Sequence, residues 1–213
     1  LNVKIGATHG GISVGEDGAS HQCCEDFALM RSIPGMVVMS PADDVEAKAM
    51  VRAAYEHVGP VYMRFGRSGV PVFHDGENFQ FQIGKGEVLT EGNDVAIIAN
   101  GDTVRLALEA AQVLSQKGIS ARVLDMHTIK PLDTAAVAAC ISEIGKIITV
   151  EDHNILNGLG SAVADVVAES GNAVLRRVGI QDQFGMSAPY DRLLAMNGIT
   201  TENIVNIAEK LVY

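Results

Sequence analysis

The chain has 213 residues, of which 47% are apolar, and a formal net charge of -10. This acidic balance disfavours a nucleic acid or an anionic membrane surface as partner, because both are bound by basic patches. No apolar run approaches the ~18 residues of a membrane span, and the three cysteines do not make a disulfide framework, so we expect a cytoplasmic protein of one large or two small domains.

The first 76 residues show a strand–helix–strand pattern. The predicted elements of this unit are strands in VKIGA, Met36–Pro41 and Pro60–Gly66, and a helix over Ala42–Val58. Strand, helix and strand in this order predict a parallel sheet. Three strands are fewer than the five or six of a usual open α/β sheet. We therefore expect the back half of a domain, with an edge or a face left uncovered.

The segment Arg67–Gly84 is rich in Gly, Pro and polar residues and has no helical period, which predicts a linker. After it the α/β alternation resumes and predicts a second unit over residues 77–213. Its predicted strands lie in DVAIIANG, SARVLDMHTIKPL, KIITVEDH and AVLRRVGI, and its helices in DTVRLALEAAQVLSQKG, DTAAVAACISEIG, LGSAVADVVAESG and TTENIVNIAEKLV. We expect Asp102 and Asp133 to cap the first two helices.

A polar glycine loop, THGGISVGEDGASHQCCED, follows the first strand. The spacing of His9 and His21 does not match the close ligand pairs of zinc sites, so no metal ligand is assigned here. One interpretation is a solvated surface loop. A ligand site is favoured because ligands bind beyond the carboxyl ends of parallel strands, and because two imidazoles suit a polyol or a phosphate. Cys23 and Cys24 are expected to begin a helix after the loop.

Two arginines follow the strand Pro60–Gly66. Arg64 lies within the strand and is expected to form an ion pair inside the fold. Arg67 could return to the loop that contains His9, where Arg and His together would suit a phosphate dianion; the alternative is a surface arginine at the domain junction. Four further residues are interpreted as structural, the first two as a pair at the domain interface: Glu151, His153, His127 and Lys130.

The stretch THGGISVGEDGASHQCCEDFALMRSIPGMVVMSPAD resembles the pyrimidine-binding domain of transketolases. The family-typical features are T-H followed by G-E-D-G-x-[ST]-H-Q, then R-x-x-P-x-M and P-x-D. GPVYMRFGR resembles the last strand of that domain with its substrate arginine. VLDMHTIKPLD and EDHNILNGLGSAVAD are similar to the transketolase C-terminal domain. The resemblance covers nearly the whole chain.

The resemblance implies an α/β fold, with a partial parallel-sheet pyrimidine-binding domain (residues 1–76) followed by a smaller α/β C-terminal domain (residues 77–213). It implies an enzyme that transfers a two-carbon ketol unit between sugar phosphates with thiamine diphosphate and Mg²⁺ or Ca²⁺. By motif position, His9 and Arg67 would bind the substrate phosphate. Asp17 would hydrogen-bond a sugar hydroxyl near the reacting carbonyl. His21 would lie beside the aminopyrimidine of the cofactor and place or relay a proton, which suits an imidazole.

Two features of that family are missing from the sequence. There is no G-D-G motif for the diphosphate and its metal, and no counterpart of the early glutamate that activates the cofactor. We therefore expect this chain alone to be inactive, to be truncated or split, and to need an N-terminal pyrophosphate-binding section as partner, within a homodimer. The alternatives are a deoxyxylulose-phosphate synthase, a ketoacid dehydrogenase β subunit, or a non-catalytic docking module.

Overall fold

A computed structural model describes residues 1–213. The strands are β1 (Lys4–Ala7), β2 (Val37–Met39), β3 (Val61–Arg64), β4 (Glu87–Thr90), β5 (Val95–Ala99), β6 (Ala121–Asp125), β7 (Thr128–Lys130), β8 (Lys146–Asn154) and β9 (Val174–Ile180). The helices are α1 (Asp26–Ser32), α2 (Asp44–Glu56), α3 (Val104–Gln116), α4 (Thr134–Glu143), α5 (Leu159–Ser170), α6 (Tyr190–Met196) and α7 (Thr201–Val212). None of these helices combines the length and the apolar content that crossing a bilayer would require.

The first sheet has the strand order β1-β3-β2-β7. Both β1 and β2 pair with β3 in parallel, which confirms the predicted parallel βαβ unit. The fourth strand comes from the second half of the chain, since β7 pairs antiparallel with β2. One edge of the three-strand unit is therefore covered, whereas β1 forms the other edge with Ile5 37% exposed.

The second sheet has the order β4-β6-β5-β8-β9, in which only β4 runs antiparallel to its neighbour. Its larger core packs against α3 and α7, and its smaller core packs against α4 and α5. Ile12, from the loop after β1, and Ala42 are buried in the larger core. The two units thus share apolar packing, and the loop after β1 is part of their junction.

Several details differ from the sequence prediction. The predicted cap at Asp102 is wrong, because Gly101–Thr103 form a 3₁₀ turn and α3 begins after it without a side-chain cap. Asp133 does cap α4, accepting from the Ala136 N–H. The cysteine pair precedes the helix that it was expected to begin, since α1 starts at Asp26. The short elements β4 and α6 were not predicted.

The segment between β3 and β4 has neither helix nor strand, which confirms that the predicted linker lacks regular structure. It is nevertheless tied to the first unit, because Asp43 Oδ2 accepts from the backbone N–H groups of Phe73 and His74, both at 2.9 Å. The domain boundary at residue 76 lies within this segment and stays a prediction.

Candidate active site

The loop Thr8–Glu25, here called the motif loop, begins where β1 ends, next to the end of β3. Since the two strands are parallel, their carboxyl ends meet at one edge of the sheet. Phe65, just past β3, donates to the Ala7 carbonyl at 2.8 Å and accepts from Gly10 at 3.4 Å. The motif loop and the arginines that follow β3 are therefore neighbours, as the order of strands predicted.

Asp152 of β8 anchors the motif loop from the second unit. Its carboxylate accepts from the Ile12 N–H at 2.9 Å, from the Ser13 N–H at 3.3 Å and from the Ser13 hydroxyl, and all three residues are buried. Gly11 has φ +86°, and a Cβ there would lie 2.1 Å from Asp152 Oδ2. A glycine is needed at this position both for the backbone angle and for the close approach of the carboxylate.

Arg64 lies beneath the motif loop and is buried. Its Nε is 3.2 Å from Asp26 Oδ2, its Nη2 donates to the Asp152 carbonyl at 2.6 Å, and its guanidinium lies 4.5 Å from the centre of the Phe27 ring. The predicted ion pair of Arg64 inside the fold is confirmed. The ion pair, the hydrogen bond and the aromatic contact together offset the cost of removing the Arg64 guanidinium from water.

The pair Glu151 and His153 lies at the interface of the two units, as predicted. His153 stacks on Phe27 at 5.1 Å between ring centres, and burial together with nearby Arg64 lowers the pKa of His153 to about 4, so this imidazole is neutral. The Glu151 carboxylate accepts from the first two N–H groups of α5 at 2.7 and 2.8 Å. The glycine-rich turn before α5 is therefore a packing turn with a carboxylate already at the helix N-terminus.

The other two residues interpreted as structural are His127 and Lys130. Lys130 Nζ donates to the carbonyls of Arg31 and Ile33 at 2.7 and 2.6 Å, and His127 is buried against Phe81. Lys130 thus ties the end of β7 to the end of α1, and His127 packs against the linker.

Arg67 returns to the motif loop, which confirms that prediction. Its Nη1 donates to the Val14 carbonyl at 2.6 Å, and its Nη2 lies 3.1 Å from Asp17 Oδ2. The side chains of Arg67 and Asp17 remain 39% and 40% exposed. The structure thus brings two of the four predicted site residues together at the surface, with part of each group still open to a ligand.

The two histidines of the motif loop lie apart from this ion pair. His9 has φ +64°, and its Nδ1 lies 2.9 Å from the Thr8 hydroxyl. His21 is exposed, with its Nδ1 3.0 Å from the Ser20 hydroxyl. No hydrogen bond or ion pair joins His9 to Arg67, so the predicted phosphate site of these two residues stays a prediction. Each ring has its other nitrogen, Nε2, free of any hydrogen bond within the chain.

Three side chains that support the motif loop were not identified from sequence. Besides Asp152, Gln22 Nε2 donates to the Ile12 and Met186 carbonyls at 2.8 and 2.9 Å, and Ser187 Oγ donates to the Glu16 carbonyl at 2.6 Å. A cavity of about 560 Å³ lies between the motif loop and the segment after β9. Its polar and aromatic lining residues include Gln22, Glu25, Asn154, Asp182, Gln183 and Phe184.

Two linked α/β units with a polar loop at the carboxyl ends of parallel strands define the class of this protein. The pyrimidine-binding domain of transketolase matches residues 1–72, and the transketolase C-terminal domain matches residues 84–204. The chain belongs to the transketolase family.

Relatives of known sequence agree with this assignment. The chain is 48% identical over 96% of its length to a Methanocaldococcus jannaschii protein named as a transketolase C-terminal section, and it covers 64% of that protein. It is 40% identical over 98% of its length to 1-deoxy-D-xylulose-5-phosphate synthase 1 of Geobacter sulfurreducens, covering 33% of it. The structure superposes with TM-score 0.92 on a split-gene transketolase described as an inactive beta4 tetramer, with 43% sequence identity. The superposition covers the whole of this chain and 67% of the split-gene chain. The chain therefore spans about two thirds of the length of the split relatives it matches.

Proposed function

We propose that this chain supplies the substrate-facing side of a transketolase active site, and that the complete enzyme transfers a two-carbon ketol unit between sugar phosphates. The observation that carries the proposal is the motif loop. Buried Asp152, half-buried Gln22 and partly exposed Arg67 hold its backbone, while the polar side chains at His9, Asp17 and His21 remain exposed or half-exposed. A loop fixed from below with its functional groups outward suits substrate binding.

Each exposed group has a role that its chemistry supports. The planar guanidinium of Arg67 is oriented by Val14 and Asp17 and keeps N–H groups for a phosphate, with His9 as the second donor. The Asp17 carboxylate uses one oxygen for Arg67, so the other can accept from a sugar hydroxyl. His21 can receive and return a proton at its ring nitrogen during a reversible transfer.

The cofactor of the family, thiamine diphosphate, would supply the carbon nucleophile that carries the ketol unit. The residues of this chain fit only one side of it. His21 is exposed and available to an aminopyrimidine, but no group of metal-ligating side chains occurs in the motif loop, and the sequence has no G-D-G motif. We infer that the diphosphate and its Mg²⁺ or Ca²⁺ are bound by a separate N-terminal section, against which the motif loop packs.

Association with further copies of this chain is part of the proposal. Large apolar side chains are exposed at the open edge and beside the cavity, where Tyr55, Val58 and Phe184 are 84%, 86% and 98% exposed. Contiguous apolar surface marks interfaces, and we propose that these side chains take part in one. Light scattering after size exclusion should give at least a dimer; a monomer at high protein concentration would contradict this part.

The decisive assay uses the complete gene product mixed with its pyrophosphate-binding section. Xylulose 5-phosphate with ribose 5-phosphate tests ketol transfer, and pyruvate with glyceraldehyde 3-phosphate tests the alternative. We expect turnover in the first assay. The variants His21→Ala and Arg67→Ala should each lower kcat/KM by at least about a hundredfold, with Arg67→Ala acting mainly on KM. Arg52→Ala, an exposed arginine on α2, is the matched control and should leave turnover unchanged.

The second candidate is a deoxyxylulose-phosphate synthase, favoured by the 40% identity to the Geobacter enzyme. Turnover only with pyruvate and glyceraldehyde 3-phosphate would establish that function and reject the first. If the complete assembly is active and neither variant changes its turnover, the motif loop is not catalytic and the chain acts as a docking module.

A further inference from the structure

A second polar cluster lies inside the molecule, where the two units and the linker meet. Glu46 of α2, His74 of the linker and Asp125 at the end of β6 each place one potential ligand atom within 4.8 Å of the others. All three residues are buried, and Glu46 and Asp125 have no exposed surface at all. No residue of the motif loop belongs to this cluster. It joins three segments that are distant in sequence.

Three of the four carboxylate oxygens of Glu46 and Asp125 lack hydrogen-bond donors. Both oxygens of Asp125 and the Oε1 of Glu46 are buried without a partner, whereas Glu46 Oε2 accepts from the Ala42 N–H at 2.6 Å. A buried carboxylate without donors or counter-charge is strongly destabilising. The only nearby basic groups are imidazoles, His74 and, 4.0 Å from Glu46 Oε1, His127. The negative charge of these oxygens must therefore be compensated by a bound cation or by a proton.

His74 is oriented in the manner of a metal ligand. Its Nδ1 lies 3.0 Å from Asp43 Oδ2 in a close contact that is not aligned as a hydrogen bond, and the same carboxylate accepts from the His74 backbone N–H. Its Nε2 lies 3.3 Å from a carboxylate oxygen of Glu87 on β4. A carboxylate beside one ring nitrogen and a second carboxylate, that of Glu87, beside the other resemble the outer arrangement of a metal-bound histidine.

We propose that Glu46, His74 and Asp125 bind one divalent first-row transition cation, such as Mn²⁺ or Zn²⁺, with Glu87 as a fourth ligand. One imidazole with several carboxylates is a ligand set for such cations. The donor atoms already lie within 4.8 Å of one another, and the carboxylates would rotate to reach metal–ligand bonds of about 2.0–2.2 Å. The Glu87 side chain is 42% exposed and offers the route to solvent.

The bound cation would connect α2, the linker and the second sheet. It would therefore hold the two units in the arrangement that brings Asp152 under the motif loop. Without a cation, the same oxygens must share a proton, and burial raises the pKa of Glu46 to about 8. A shared proton between Glu46 and Asp125 is the competing account of the cluster, and it makes the opposite prediction for metal binding.

The test is a titration of the complete protein, stripped with EDTA and dialysed, with Zn²⁺ and with Mn²⁺ by calorimetry. We expect one equivalent bound with Kd below about 10 µM, release of at least one proton per cation in a comparison of two buffers, and a rise in Tm with saturating metal. Absence of stoichiometric binding by the wild-type protein would overturn the proposal and leave the shared proton as the explanation.

Variants locate the binding. His74→Gln and Asp125→Asn should each weaken the affinity at least about tenfold, whereas His57→Gln and Asp165→Asn, which change a half-buried and an exposed group outside the cluster, should not. Equal affinity in all four variants would overturn the assignment. X-ray absorption of the Zn²⁺-loaded wild-type protein decides even if both cluster variants fail to fold. Oxygen and nitrogen ligands with one imidazole support the site, and a sulfur ligand would place the metal at one of the three cysteines and overturn it.

Discussion

The substitution Asp152→Asn would measure how strongly the second unit holds the motif loop. The carboxylate accepts two backbone N–H groups and one hydroxyl from Ile12 and Ser13. Hydrogen bonds to a charged acceptor contribute about 1.5–3 kcal/mol each. Asparagine keeps one acceptor oxygen and turns an N–H₂ group towards the remaining donors. We therefore expect the motif loop to lose about 2–4 kcal/mol of local stability.

Amide hydrogen exchange gives this quantity directly. At about 1.4 kcal/mol per tenfold change, protection of the amides of Ile12 and Ser13 should fall by about 30-fold to 1,000-fold. Amides in β5, which lies in the centre of the second sheet, should change much less. Asp165→Asn is the control, since its side chain is 78% exposed. Equal loss of protection in β5 and in the motif loop, or no loss at all, would refute the anchoring role of Asp152.

Three further predictions concern single side chains. Gly11→Ala should lower the free energy of unfolding by about 1–3 kcal/mol through backbone strain alone. The clash of the new Cβ with Asp152 adds to this loss. An unchanged urea midpoint would contradict this prediction. Burial and the charge of Asp152 raise the pKa of Asp102 to about 6. Folding thus favours protonated Asp102, and this stability is lost as the pH rises from about 4 through 6. The free energy of unfolding of Asp102→Asn, measured with urea, should therefore rise by about 2–3 kcal/mol relative to that of the wild type between pH 4 and pH 7. If the difference between the two proteins is the same at both pH values, the pKa of Asp102 is not raised. Thr200→Ala removes the acceptor of the Asn203 N–H at the start of α7 and should lower the free energy of unfolding by about 1 kcal/mol in the same measurement. An unchanged free energy of unfolding would contradict a stabilising role of this cap.

Local patterns predicted most of the regular structure. The parallel strands β5 and β8 contain runs of β-branched residues. Asp133 and Gly171 mark helix ends because capping depends mainly on neighbouring residues. The separate strand β7 could not be predicted, since its three residues are stabilised by pairing with β2, about ninety positions earlier. Asp102 was misassigned because a buried turn at the junction overrode its preference for a cap.

The sequence by itself determined the fold class, the family and the identity of the exposed groups in the motif loop, because these depend on residue types at short spacing. Only the tertiary structure decided which groups support them. Asp152 reaches Ile12 across 140 positions, and Glu46, His74 and Asp125 meet from three segments. Long-range contacts of this kind leave no periodic signal, since they arise from the packing of complete elements and not from any local preference.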